Sequence, residues 1–229
     1  DTLIGSNIAN VIDGGANNDI IFGFGGVGNT LIGGTGNDTI MGLLGGDKIY
    51  GGTFDGTTAT KSGSDWVDYS YITDTKAINV DLSLLTNQVS QIGTPANADT
   101  LTHIENVVGT KNADILKGDN SFTITNSLLG YDGNDTFIVS KGSDYIDGGT
   151  GSNWLSLESN YRGSIDLRSA YNTAGSTNGN VTVYNIQNIL GSQSVARDET
   201  VWGRSDTSWN ETFIMFKGND TVLGGLGND

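Results

Sequence analysis

A carboxylate or a carboxamide recurs through the first fifty residues at Asp1, Asn10, Asp19, Asn29, Asp38 and Asp47, each two positions ahead of an aliphatic side chain. Glycines crowd the residues before it, as in GGTGND at 33–38 and GGLGND at 224–229. Short carboxylates set among glycines suit a hard cation. Glycine admits positive φ and so lets main-chain carbonyls turn inward, while aspartate adds charge; together they supply the six or so oxygen ligands that calcium prefers. Without the ion, stacked aspartates would repel one another and the turn carbonyls would lack a partner.

The elements that must carry these residues follow from the spacing. Residues 5–50 divide into GSNIANVID, GGANNDIIF, GFGGVGNTLI, GGTGNDTIM and GLLGGDKIY, with the eighth position aliphatic at Leu3, Ile12, Ile21, Leu31, Ile40 and Ile49. Glycine every few positions opposes a helix, so each unit reads as a six-residue turn followed by a three-residue strand whose middle residue points inward. Two units then make one coil of a flattened parallel solenoid. Sorting by coil puts Asp1, Asp19 and Asp38 on one edge, expected to hold calcium, and Asn10, Asn29 and Asp47 on the other, which begins as an asparagine ladder. Continuing the count through Asp55 and Gly56 to Asp65 pairs Asp47 with Asp65 in a second-edge site and has Asp38 bridge the turns of Asp19 and of Asp55–Gly56.

These residues resemble the RTX nonapeptide, G-G-x-G-x-D-x-U-x, which GGTGNDTIM matches at every defined position. The resemblance implies an all-β, calcium-dependent parallel β-roll (a β-solenoid), interrupted by two related non-motif excursions. It also implies a ligand set: the sixth-position carboxylates Asp1, Asp19, Asp38, Asp47, Asp65, Asp114, Asp135, Asp144, Asp220 and Asp229, with turn carbonyls at Gly14, Ala16, Gly33, Gly34, Thr35, Gly36, Gly148 and Thr150. Several calcium ions are expected.

Composition agrees. The 229 residues include 35 glycines and one proline, without a collagen period. Acidic residues outnumber basic ones 26 to 11, for a net charge of −15. A surface of that sign repels phosphate backbones, so nucleic acid is not an expected partner. Seven Phe, eight Tyr and four Trp argue for an ordered chain. There is no cysteine, in keeping with a bacterial secreted protein that leaves the cell unfolded. No apolar run approaches the ~18 residues of a membrane span, and no signal peptide stands out, so neither membrane insertion nor a Sec-type address is expected.

From about residue 65 the pattern lengthens. DWVDYS, AINVDLS, THIENVVGT and NADILKG are echoed by NWLSLE, GSIDLRS, YNIQNILGS and DETVWG, an offset of 82 to 88 residues. INVDL and SIDL alternate as half-buried strands, and TNQVSQIGTPANAD and SAYNTAGSTNGN read as excursions that leave the roll and return. After them the sixth positions resume as Asp114, Asn126, Asp135, Asp144 and Asn153, and as Glu199, Glu211, Asp220 and Asp229. The chain is therefore expected to comprise a regular roll at 1–64 and two copies of an interrupted module at 65–152 and 153–229. Asn106 and Asn188, in matching slots, are expected to form an internal amide ladder.

Catalytic chemistry finds little support. His103 is the single histidine, has Asn185 as its counterpart in the second copy, and lacks the partners a triad or a metal site needs. Aspartates at every coil are not the one differentiated pair that a glycosidase requires. Outward Trp66, Trp154, Trp202, Tyr50 and Phe22 would suit stacking on surface glycans, or cover by the excursions or a neighbouring chain. The expected role is a stiff extracellular segment of an adhesin, surface layer or fibre, type I secreted and able to stack end to end, since both ends read as falling mid-motif. The alternative is an accessory domain of an exported hydrolase or toxin.

Overall fold

The computed structural model describes residues 1–229 except 43–44, 74, 87, 92–93, 140, 158–162, 169–171, 177–178, 194–197 and 206–209. The described residues form strands and turns with no helix, and they are organised as parallel sheets of a β-roll. Two compact units emerge, residues 1–114 and 115–229, so the expected segment 65–152 is divided between them.

The first unit contains β1 (Thr2–Ile4), β2 (Val11–Ala16), β3 (Ile20–Phe22), β4 (Thr30–Thr35), β5 (Thr39–Met41), β6 (Lys48–Tyr50) and β7 (Thr53–Phe54). It continues with β8 (Ala59–Thr60), β9 (Trp66–Asp68), β10 (Ile78–Asp81), β11 (Val89–Gln91), β12 (Thr94–Thr102) and β13 (Asn106–Val108). One sheet runs β1-β3-β5-β9-β13 and the other β2-β4-β6-β12-β11-β10. Parallel registers place Leu3 beside Ile21, Ile21 beside Ile40, Ile40 beside Val67 and Val67 beside Val107. The facing column is Ile12, Leu31, Ile49 and Leu101. Ile21, Leu31, Ile40, Ile49, Val67 and Val107 are fully buried, so these two columns are the core.

The second unit repeats the plan. It holds β14 (Ile115–Lys117), β15 (Ser127–Leu129), β16 (Thr136–Ile138), β17 (Tyr145–Asp147), β18 (Trp154–Ser156) and β19 (Gly163–Asp166). The rest are β20 (Asn172–Ser176), β21 (Gly179–Tyr184), β22 (Asn188–Leu190), β23 (Thr200–Trp202), β24 (Thr212–Ile214) and β25 (Thr221–Leu223). Its sheets run β15-β17-β21-β20-β19-β23-β25 and β14-β16-β18-β22-β24. Leu116, Phe137, Leu155 and Ile189 stack in register as one buried column.

Two expectations are corrected here. The ninefold count does not run on through Asp55: residues 53–60 lift out as the antiparallel hairpin β7–β8, and Trp66 takes the place beside Thr39. The excursions do not leave the roll either. In the first, β11 lies antiparallel to both β10 and β12, and the far end of β12 pairs in parallel with β6. In the second, β20 lies antiparallel to β19 and β21, which pair in parallel with β23 and β17. An inserted antiparallel strand satisfies the main-chain groups that a solvent loop would leave to water. Parts of the second excursion, 169–171 and 177–178, lie outside the described residues.

Candidate calcium sites

Most described sixth-position residues sit where the chain leaves a turn and enters a strand, and the main-chain N–H of many of them points along the stack. That N–H donates to the sixth-position side chain of the next coil, Asp19 to Asp38 at 2.8 Å, Asp38 to Asp65 at 2.8 Å and Asp65 to Glu105 Oε2 at 2.9 Å, while at Asp1 the donor to Asp19 Oδ1 is the terminal ammonium, at 2.5 Å. On the other edge, Asn10 donates to Asn29 at 2.9 Å, Asn29 to Asp47 at 2.7 Å and Asp47 to Asp99 at 2.8 Å. In the second unit the same bonds join Asn126 to Asp144, Asp135 to Asn153, Asn153 to Gln187, Glu199 to Asp220 and Glu211 to Asp229. A second ladder runs the opposite way one residue earlier. The side chains of Asn18, Asn37 and Asn134 accept from the main-chain N–H groups of Asn37, Ser64 and Ser152 in the following coil. The recurrent Asn-Asp pair is thus a two-way clasp between neighbouring turns.

Asp65 therefore belongs to the edge of Asp1, Asp19 and Asp38, correcting its assignment opposite Asp47. The turn next to Asp38 is that of Asp65, not that of Asp55 and Gly56. Exposed Asp55 instead caps the β7–β8 turn, accepting from Thr57 and Thr58, which holds its carboxyl below the usual range. Asp99, Glu105 and Gln187 were missed as rungs. Their signal was present: each stands two residues before a buried aliphatic, Leu101, Val107 and Ile189.

With Oδ1 engaged in the ladder, the second carboxylate oxygen decides what each turn can hold. Asp19, Asp38, Asp47 and Asp65 are at most 1 % exposed, and their Oδ2 atoms are buried with no hydrogen-bond donor. Burial pushes the Asp38 and Asp47 carboxyls up, and that of Asp65 to about 7, with the charges of Asp38 and Glu105 adding to burial there. Around Asp19 the Oδ2 lies against the Cα of Gly14 together with the carbonyl oxygen of Gly33, so a Cβ on Gly14 would meet both at less than 3.0 Å. Gly33 stands likewise to Asp38 Oδ2 and the Gly51 carbonyl, and Gly51 to Asp65 Oδ2 and the His103 carbonyl. Carboxylate and carbonyl oxygens facing one another in a dry cradle repel unless a cation lies between them, and the donor set is that of calcium rather than of a softer metal.

The other expected carbonyls fall as follows. Ala16 pairs with Thr35, and Gly34 donates to the Gly51 carbonyl. Gly34 and Gly36, both at positive φ, close against the Gly15 and Asn17 carbonyls of the preceding turn, an approach no side chain would permit. Gly148 carries its carbonyl to the cradle of Gly130 and Asp135, and Thr150 bonds Asp132 and the Tyr131 carbonyl. Asp114 differs from the rest: Thr110 N–H and Oγ1 and Ile78 N–H satisfy its oxygens, so the cation fit does not extend to it. Residues 43–44 in the turn of Asp47 lie outside the described set. Among the described residues no group of three or more His, Cys, Asp or Glu side chains could hold a metal by itself, so any ion here depends on main-chain oxygens.

The remaining candidates resolve into local structure. His103 and Asn185 share a left-handed conformation, φ 56° and 53°, in matching turns. Asn106 and Asn188 play matching parts in their two units. Each clasps the turn before it, through Ser64 Oγ and the Asp65 carbonyl or Ser152 Oγ and the Asn153 carbonyl. Tyr50 stacks on Phe54 at 4.2 Å, Phe22 meets Tyr71 edge-on, and Arg168 lies over Trp202 at 5.0 Å.

Compared with known proteins, residues 1–28, 24–57, 125–159 and 216–229 match the family model of the RTX calcium-binding nonapeptide repeat. No curated protein matches the chain.

Proposed function

Taking the chain as a member of the RTX calcium-binding nonapeptide-repeat family, as its four matched segments show it to be, we propose that it is a calcium-stapled structural segment of a bacterial adhesin, surface layer or extracellular fibre. The observation that carries this reading is the row of buried, donor-less oxygens on Asp19, Asp38 and Asp65, each facing a carbonyl of the next turn. Those residues would hold the ions with the carbonyls of Gly33, Gly51 and His103. Calcium supplies there the charge that cancels the mutual repulsion of the oxygens. Extracellular modules bind calcium at about 10⁻⁴–10⁻³ M, so such a chain stays open in the cytosol and sets outside the cell. The role is structural rather than catalytic, with sequence-related repeats as the natural neighbours.

Calcium titration followed by circular dichroism tests the ion dependence, and electron microscopy at saturating calcium tests the assembly. The expected result is loss of most β signal in excess chelator, recovery on adding calcium, and elongated assemblies. Full β signal retained in chelator overturns the calcium reading. Dispersed monomers overturn the fibre role and favour an accessory domain of an exported hydrolase or toxin.

A further inference from the structure

The turns are not all built to take an ion. At Asn10 the side-chain Nδ2 donates to the carbonyls of Ser6 at 3.0 Å, Ile8 at 2.6 Å and Gly23 at 3.3 Å. Relative to its own first-turn glycine, Gly5, this nitrogen stands where the orphaned Oδ2 of Asp19 stands relative to Gly14. In both cases a Cβ on the glycine would meet the side-chain atom and the next coil's carbonyl at less than 3.0 Å. Asn153 repeats the arrangement in the second unit: its Nδ2 donates to the Asn185 carbonyl at 3.0 Å, and both atoms crowd the Cα of Gly148.

We infer that the sixth-position amide is a built-in replacement for the calcium ion, so that Asn10 and Asn153 close their turns without metal while aspartate turns need it. This rests on the calcium reading above and goes beyond it by assigning which turns are ion-free. The physical ground is simple. An amide N–H carries positive charge density to the carbonyls that a carboxylate oxygen can only repel, and a satisfied buried acceptor costs nothing further. Other sixth-position acids reach the same end with a different donor. Lys61 Nζ meets Glu105 Oε1 at 2.9 Å, and the buried Tyr69 hydroxyl donates to Asp99 Oδ2 at 3.0 Å.

The test converts one class into the other in the full chain. Asp38→Asn is expected to fold at a lower calcium midpoint than the parent and to take up about one ion fewer, read from isothermal titration and from the slope of folding against calcium concentration. Asn10→Asp is expected to do the reverse, needing more calcium and taking up about one ion more. The inference is overturned if Asp38→Asn needs more calcium than the parent, or if Asn10→Asp leaves both midpoint and stoichiometry unchanged. A parent chain that binds no calcium would sink the proposed function instead. The amide inference would then still be judged, by whether Asp38→Asn raises and Asn10→Asp lowers the Tm in chelator.

Discussion

At the level of single residues, the sixth-position side chain does two jobs with two atoms. One atom accepts the ladder bond, and the other faces the cradle. Glycine at the first turn position keeps the cradle open, so its substitution separates steric from conformational effects. Gly33→Ala would press a methyl onto Asp38 Oδ2 and the Gly51 carbonyl, whereas Gly15, at φ 91°, has open space around it. Gly33→Ala is expected to remove an ion and to cost about 1–3 kcal/mol, as overpacking does. Gly15→Ala carries only left-handed strain of about 1–2 kcal/mol and keeps the full ion count. Calcium stoichiometry of the two variants, with their denaturation midpoints, is the check. The same buried carboxylates set a pH dependence. Burial raises Asp65 to about 7 and Asp99 to about 6, against an ordinary value of 3.8. Between those limits the calcium-free fold binds protons that the unfolded chain has released. This stabilising contribution is present in acid and lost as pH rises through 6 to 7. Calcium binding at Asp65 requires its ionised form and so strengthens as pH rises through about 7. Circular dichroism in chelator at pH 5 and pH 8 is expected to show more residual structure in acid, and the opposite order refutes the assignment.

At the level of elements, three-residue strands hold only because each buries one aliphatic in a column. Ile40 is fully buried between Ile21 and Val67. Ile40→Ala is therefore expected to cost about 2–5 kcal/mol in calcium-loaded stability by chemical denaturation, while Ile20→Ala, at a position 41 % exposed, should cost well under that. This level was also the most legible. Turn, strand and inward residue follow from glycine spacing and an aliphatic every ninth place, and local period is what a sequence displays. What stayed hidden was continuity across irregular stretches. Spacing alone carried the count through Asp55, overriding the Asp55-Gly56 step that is itself a hairpin-turn signal, and so placed Asp65 on the wrong edge. Asp99, Glu105 and Gln187 were invisible to a search for glycine turns because their turns lack the glycines. The two-residue interval from a polar side chain to an aliphatic that reveals them means little without the stack. The donors that close the cradles, such as Tyr69 on Asp99, come from 30 residues away, beyond any local pattern.

At the level of the whole molecule, the two units differ in how their ladders are composed. In residues 1–114, carboxylate follows carboxylate along Asp1, Asp19, Asp38 and Asp65. In residues 115–229, Asn126 alternates with Asp144 and Asp135 with Asn153, and acid meets acid at Glu199–Asp220 and Glu211–Asp229. Acid-on-acid rungs thus crowd the first unit and the last coils of the second, while the rungs between residues 126 and 187 each carry an amide. Hydrogen exchange at limiting calcium is expected to show residues 1–114 losing protection before 115–190, and simultaneous loss would contradict this. The uneven ladder has one more consequence. A stack of identical repeats has no preferred alignment, because a strand shifted by a whole coil meets the same neighbours it left. Asn10, Asn29, Asp47 and Asp99 in one row are all distinguishable by what their second atom requires: a carbonyl, a carboxylate, an ion or a phenol. A coil that docks one place out of step brings an amide to a partner expecting a carboxylate, or an acid to one that offers no cation. The departures from the consensus therefore work as an address, numbering coils that the consensus alone would leave interchangeable.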